Sequence, residues 1–327
     1  MVRKLVAVTD SVFPDLDPAR EVLSRIGADL QLAKEPKPEA ILQVARGADA
    51  VLTTYAKLTA DLITKMTRCQ IISRFGIGVD NVDIVSATKS AIVVTRVPDY
   101  CLDEVSDHVM ALLMSIVRKI PFINARTQSG VWQMREVVPI YRIRGAVLGL
   151  VGFGRIPQLL APKAQAFGMR VVTHDPHVRP DAFSRAGVES VEFDYLVKIS
   201  DYISVHTPLI PATYHLFNPD VLCRMKPTAY LINTARGPIV DEEALAHALD
   251  RKQLAGAALD VMEKEPPDSS LLFGRENVII TPHMSFYSEE SLVDLQTKAA
   301  EEVVRVLSGQ APRNPVNPEA MKVGRNN

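Results

Sequence analysis

Short runs of β-branched and aliphatic residues, LVAVTD, DLQLA, AVLTT, QIISRFG and AIVVTRV, recur between residues 5 and 97 and bound what this chain can fold into. They lack the polar alternation of strands that show one face to water. They therefore read as strands buried on both faces, which is how parallel sheets appear in sequence. Helical patterns such as PEAILQVARG and TADLITKM separate them. The expected result is one doubly wound α/β unit.

A second series, AVLGLVGFG, MRVVTHD, YISVHTP, AYLINTA, GAALDVM and NVIITPH, repeats the pattern further along. Between the two lie the segment EVSDHVMALLMSIVRKI, apolar almost all round, and a polar stretch containing Gly130, Trp132 and Pro139. The last long helical pattern, SEESLVDLQTKAAEEVVRVLSG, stops at Gly309, a natural C-cap, and a tail rich in Pro and Asn follows, ordered by docking. The 327 residues suffice for two ordinary domains. Two α/β units imply two doubly wound parallel-sheet lobes with a cleft between them, and ligands in such sheets bind beyond the carboxyl ends of the strands.

Charge narrows the function classes. The 37 basic and 38 acidic residues nearly cancel, so no field points to nucleic acid or to an acidic membrane surface. The apolar run VMALLMSIV is about half of a membrane span, and the N-terminal stretch is too short for a signal-peptide core. Cys69, Cys101 and Cys223 are far apart and form no CxxC pair, so a reducing cytoplasm is the expected compartment. No Cys/His cluster has metal-ligand spacing, and no metal is expected.

Within LVGFGRIPQLLA, the strand–GFG–helix context gives G-x-G its meaning. Gly152 allows the tight turn, Gly154 lets the backbone approach a pyrophosphate, and the amides of Arg155 and Ile156 point at the anion from the helix N-terminus. The third glycine of the usual fingerprint is replaced by Pro157, which falls in the first helical turn where a missing N–H breaks no bond. Asp175, 23 residues after Gly152, ends the next strand at the spacing of a carboxylate that meets ribose hydroxyls. Its charge favours NAD over NADP. The alternative is an aspartate that merely caps the following turn.

Three further motifs at strand ends, NTARGPIVDEEAL, ALDVMEKEPP and NVIITPHMSFYSEES, complete an ordered set with GFGRI and with GIGVDNVDI near the start. Over essentially the whole chain the set resembles the D-isomer-specific 2-hydroxyacid dehydrogenase family. YCLDEVSDH, RIRG and HMSFYSEES are most similar to its C-terminal-binding-protein branch, and phosphoglycerate dehydrogenase relatives are also similar. The resemblance implies a flavodoxin-like substrate lobe over residues 1–98 and 289–327 and a Rossmann NAD lobe over residues 99–288. It implies that Arg236 binds the substrate carboxylate and that Glu265 hydrogen-bonds His283, which exchanges the proton. Asp260 would contact the nicotinamide carboxamide, and His206, Thr207, Thr234 and Ala235 would flank the cofactor. Arg74, Ile77 and Gly78 would meet the substrate from the other lobe.

The chemistry wants the same residue types. Imidazole titrates near neutrality, a carboxylate partner stabilises and orients the protonated ring, and arginine's fork matches a carboxylate. Position alone does not choose between His206 and His283, and Glu263 competes with Glu265; the motif contexts favour His283 and Glu265. His108 and His247 lie in helical patterns and read as surface or interface residues, while His174, His177 and His215 read as structural. The expected activity is NAD-dependent interconversion of a D-2-hydroxy acid and its 2-oxo acid. A dinucleotide-sensing corepressor on the same fold, or D-3-phosphoglycerate oxidation, is the alternative. In place of the arginine of the phosphoglycerate branch stands LTTYAKLT, and Tyr55 with Phe286 suggests an apolar wall for an unphosphorylated substrate. Lys57, Arg74 and Arg135 could instead accept a phosphate. The apolar helix over residues 104–120 is expected to build a homodimer.

Overall fold

The computed structural model describes residues 3–322. These divide into two compact units, one formed by Met1–Tyr100 with Ser288–Asn327 and the other by Cys101–Tyr287. The expected boundaries were two residues earlier at the first junction and one residue later at the second.

The first unit holds β1 (Leu5–Val8), α1 (Asp17–Ser24), β2 (Asp29–Leu32), α2 (Pro38–Ala45), β3 (Ala50–Thr53), α3 (Ala60–Thr64), β4 (Ile71–Arg74), α4 (Ile84–Lys89) and β5 (Val93–Thr95). The strands lie in the order β2-β1-β3-β4-β5, all parallel, which is the flavodoxin-like winding. The central β3 and β4 are buried along their whole length. β2 is the exception: as an edge strand it leaves half of its residues exposed. Ile41, Leu62, Ile63 and Ala87 cover one face of this sheet.

The second unit holds α5 (Leu102–Arg118), α6 (Ile120–Gln128), β6 (Val147–Val151), α7 (Arg155–Ala166), β7 (Arg170–His174), α8 (Pro180–Arg185), β8 (Glu189–Ser190), α9 (Phe193–Ile199), β9 (Tyr202–Val205), α10 (Pro219–Leu222), β10 (Tyr230–Asn233), α11 (Glu242–Asp250), β11 (Gly256–Leu259) and β12 (Val278–Ile280). Its order is β12-β11-β10-β9-β6-β7-β8, a Rossmann sheet with one strand added beyond the usual six. Val109, Leu113, Leu160 and Phe183 pack on one face, and Leu196, Leu222, Leu245 and Leu249 on the other. Helices on both faces explain why these strands read as unbroken apolar runs. The sequence showed no sign of β8, whose two residues are both exposed.

Two expectations for the helices need correction. The segment read as one helix ending at Ile120 breaks at Lys119, whose left-handed φ of 52° separates α5 from α6. Its apolar surface is also not left over for a partner, because Val105, Val109, Met110, Leu112, Leu113, Ile116 and Val117 are all buried, most of them in this unit's own core beside α7. Exposed apolar residues are Ile120 at the end of that segment, 54% exposed, and further on Trp132 at 88% and Met134 at 77%, with Val138 and Tyr141 following in the sequence. Among the described residues no single helix is long and apolar enough to cross a membrane; only α5 and α6 taken together, bent by 59°, reach the length.

The long α12 (Glu289–Leu307) returns the chain to the first unit, packing on α1 and β4 with the Ser73 hydroxyl donating to the Ala299 carbonyl at 3.0 Å. A reciprocal Ser288–Ser291 capping box starts it, and Gly309, at φ +78°, follows its end. The Pro/Asn-rich tail then docks on β5. Asn317 is fully buried; it accepts from the Val94 amide at 2.7 Å and donates to Thr88 Oγ1 at 2.8 Å and to the Ile92 carbonyl at 3.0 Å. Asn317→Ala strands a buried backbone donor and acceptor together, and we expect a loss of roughly 2–4 kcal/mol. Urea unfolding of the full chain checks this; a loss below about 0.5 kcal/mol would mean the tail is not held through Asn317.

Candidate active site

All strands of the second sheet run parallel, so their C-terminal ends share one edge. Every candidate residue of this unit lies just past that edge, in the loop that leaves it or in the first helical turn that follows. Gly152, Gly154, Arg155 and Ile156 follow β6, and Asp175 follows β7. His206 and Thr207 follow β9, while Thr234, Ala235 and Arg236 follow β10. Asp260 and Glu265 follow β11, and His283 and Phe286 follow β12.

The glycine turn is built for close approach. Gly152 has φ +96°, and a Cβ there would lie 2.9 Å from the His206 backbone. A Cβ on Gly154 would meet no protein atom within 4 Å, so the space before this residue is open. Gly154 caps α7, whose first residues are Arg155, Ile156 and Pro157. Pro157 is buried in that first turn and costs no helical hydrogen bond. Pro162, further along α7, does forgo one. Asp175 caps the following turn, Oδ1 accepting from the His177 amide at 2.9 Å, while Oδ2 accepts from the Phe153 amide at 2.7 Å. The same carboxylate thus ties the end of β7 to the glycine turn.

Around the edge, Thr234 Oγ1 is buried and finds no hydrogen-bond partner among the described residues. An open glycine cradle, a helix N-terminus and an orphaned hydroxyl fit a bound dinucleotide. His206 Nε2 lies 2.9 Å from Ser204 Oγ, and burial pushes its imidazole down to about 3, so the ring is neutral at pH 7. Ala235 and Arg236 are shaped by Asn233, which sequence reading missed. Its fully buried amide accepts from the Ala235 N–H at 3.0 Å and donates to the Arg236 carbonyl at 2.8 Å. Gly237 is obligatory next to them, because a Cβ there would fall 2.0 Å from the Met262 backbone.

His283 Nδ1 and Glu265 Oε2 are 2.6 Å apart, and the ring keeps 21% exposure. Since a carboxylate only accepts, Nδ1 is the donor. Glu265 Oε1 is held in turn by the Met262 amide at 2.9 Å. Glu263, its competitor, belongs elsewhere: Oε1 accepts from the Glu242 amide at 2.8 Å and lies 3.2 Å from His215 Nε2. Phe286 meets the His283 ring edge-on, with centroids 6.3 Å apart. Asp260 was expected at the nicotinamide. Its carboxylate is buried among the 281–285 residues, accepting from Thr281 Oγ1 at 2.5 Å and from the Met284 and Ser285 amides at 2.9 Å each. His108, expected as a surface or interface residue, has a side chain only 19% exposed, and its Nε2 lies 3.1 Å from Thr281 Oγ1.

In the first unit, Tyr55, Arg74, Ile77 and Gly78 sit at or beyond the C-terminal ends of β3 and β4. The buried Arg74 folds back over Gly76 and places its guanidinium 6.0 Å from the centre of the Tyr55 ring. Asp10 secures the Tyr55 loop, accepting from the Thr54 amide at 3.0 Å and the Tyr55 amide at 2.6 Å.

Residues 110–285 match the model of the D-isomer specific 2-hydroxyacid dehydrogenase NAD binding domain. The glyoxylate reductase of Thermococcus litoralis is 37% identical over 303 residues, 90% of this chain and 92% of that one. The chain belongs to the D-isomer-specific 2-hydroxyacid dehydrogenase family, and its cofactor is NAD. The D-3-phosphoglycerate dehydrogenase of Methanocaldococcus jannaschii is 35% identical over 314 residues, and this dehydrogenase-family chain, matched over 95% of its length, spans 59% of that relative. The crystal structure of a D-lactate dehydrogenase from Aquifex aeolicus with NAD and lactic acid superposes with a TM-score of 0.87 at 28% identity, covering 96% of this chain and 99% of that one.

Two outcomes follow for the NAD lobe. Gly154→Ala meets open space and should leave thermal stability unchanged, while NADH binding weakens at least about ten-fold, on the order of 1.4 kcal/mol. Calorimetry showing full affinity would move the pyrophosphate away from this turn. His206 sets an acid limit: the unfolded chain takes up its proton near pH 6.5, whereas the folded ring stays neutral down to about 3. Stability is therefore whole above about 6.5 and drains as pH falls towards 3, and His206→Gln should flatten that limb by up to about 1.4 kcal/mol per pH unit. Denaturation between pH 4 and 7 measures it.

Proposed function

We propose that this chain is an oxidoreductase that interconverts an unphosphorylated D-2-hydroxy acid and its 2-oxo acid with NAD. The observation that carries the reading is the 2.6 Å pair of His283 Nδ1 and Glu265 Oε2, on the sheet edge that also holds the glycine turn. When bound, the nicotinamide cofactor supplies or accepts the hydride. The chain supplies the rest. Gly152, Gly154, Arg155 and Ile156 cradle the pyrophosphate, Asp175 faces the ribose, and His206, Thr207, Thr234 and Ala235 line the cofactor. Arg236 holds the substrate carboxylate through its planar fork; in the first unit, taken by itself, Arg74 and the amides of Ile77 and Gly78 are the substrate-binding groups. Glu265 binds Nδ1 of His283 and so leaves Nε2 to exchange the proton at the substrate oxygen.

The preference for an unphosphorylated substrate rests on the 54–57 loop. The Thr54 and Tyr55 amides already donate to the Asp10 carboxylate, so they do not serve a phosphate, and the exposed Lys57 offers only a mobile point charge. Phe286, beside His283, offers apolar surface for a small substituent, and the exposed Tyr55 ring is a second apolar surface on the first unit by itself. The glyoxylate reductase relatives are in keeping with this reading.

His283→Asn should lower turnover by roughly two to four orders of magnitude while NADH binding changes little; near-normal turnover would remove His283 from the chemistry. A panel of 2-oxo acids with NADH tests the substrate class, and a higher kcat/KM for phosphohydroxypyruvate, lost on replacing Lys57, would overturn the preference. We also propose a homodimer, now placed on the exposed surface of Trp132, Met134, Val138 and Tyr141. Analytical ultracentrifugation at micromolar concentration should give a dimer, and Trp132→Ser with Met134→Ser a monomer.

A further inference from the structure

We propose that His108, on α5, positions the proton-exchanging loop by acting through Thr281 and Asp260. The inference rests on His283 and Glu265 being the acid–base pair. His108 stands midway along a core helix that packs against β11, and its side chain is 19% exposed. Its Nε2 lies 3.1 Å from Thr281 Oγ1 and 3.7 Å from Asp260 Oδ1.

The direction of each bond follows from donor chemistry. The ionised Asp260 carboxylate only accepts, so Thr281 Oγ1, 2.5 Å away, gives its one proton to Oδ1. The Thr281 oxygen must then accept, and the donor facing it is His108 Nε2–H. The imidazole thereby fixes the rotor of Thr281, and with it one of the three hydrogen bonds that hold the buried carboxylate. The other two come from the Met284 and Ser285 amides, directly after His283. The His283 amide itself donates to the Asp260 carbonyl at 2.8 Å. His283 has a left-handed φ of 50°, a conformation that side chains other than glycine rarely adopt unaided. The relay from α5 therefore over-determines the backbone that aims His283 at Glu265.

The test compares His108→Leu, which keeps bulk but has no donor, with His108→Gln, whose amide nitrogen can reach the place of Nε2. In His108→Leu, kcat should fall about ten-fold, the equivalent of one lost buried hydrogen bond, with KM and NADH affinity nearly constant. In His108→Gln, kcat should return towards the starting value. Thr281→Val should reproduce the leucine variant, and it serves also if that variant does not fold. In the protein without substrate, the downfield proton signal of His283 Nδ1–H on Glu265 should persist with glutamine and weaken with leucine or valine. Leucine and glutamine variants that behave alike, or a leucine variant with full kcat and an unchanged His283 signal, would overturn the role of His108. If His283→Asn itself retains turnover, the acid–base reading fails instead, whatever His108 does.

Discussion

A single buried carboxylate holds the C-terminal edge of the second sheet together. Asp260 leaves the end of β11 and is 1% exposed, so its charge must be answered by donors nearby. Thr281, Met284 and Ser285 answer it, and all three belong to the loop that leaves the neighbouring strand. The requirement to satisfy one buried charge thus dictates the path of that loop from Thr281 to Ser285. A left-handed residue costs about 1–2 kcal/mol, and here the cost is offset by bonds that exist only when His283 adopts it. A flexible loop carrying the same histidine would present its ring to Glu265 only part of the time.

Much of this was legible beforehand. Unbroken apolar runs identified the strands because helices cover both faces of each sheet, and the glycine turn declared itself through its position between a strand and a helix. Glu265 was separable from Glu263 by motif, and the two carboxylates do part ways in the structure, one to His283 and the other towards His215 and Glu242. What could not be read depends on neighbours distant in sequence. Two exposed residues form β8 only because β7 lies alongside them. His108 and Thr281 are 173 positions apart, and nothing in a helical pattern distinguishes a histidine aimed at a strand-end loop from one on the surface. The surplus apolar character of α5 suggested an interface, yet α7 and the sheet absorb it.

The backbone of the edge is fixed by side chains that do no chemistry. Asn233 shapes the turn that presents Arg236, and Gly237 lets that turn meet the Met262 backbone. Asp10 and Asn81 hold the 54–56 loop of the first unit from two directions, the latter donating to the Thr54 and Ala56 carbonyls. Asn233, Asp10 and Asn81 are all short polar side chains that bond backbone groups at a strand end. Such positions respond to substitution through geometry, so their effect on rate exceeds what their distance from the reacting atoms suggests.

The first unit is assembled from both ends of the chain, and this orders events on the ribosome. Its sheet is complete once residue 95 has emerged, but α12 and the Asn317 anchor come only after the whole of the second unit has been made. At about 5–20 residues per second the interval is on the order of ten to forty seconds. Throughout that interval the face of β4 that later receives α12 is bare. By its end the nascent chain carries a finished dinucleotide fold alongside a complete sheet still uncovered on one face, and a chaperone that recognises exposed apolar surface would find its target there.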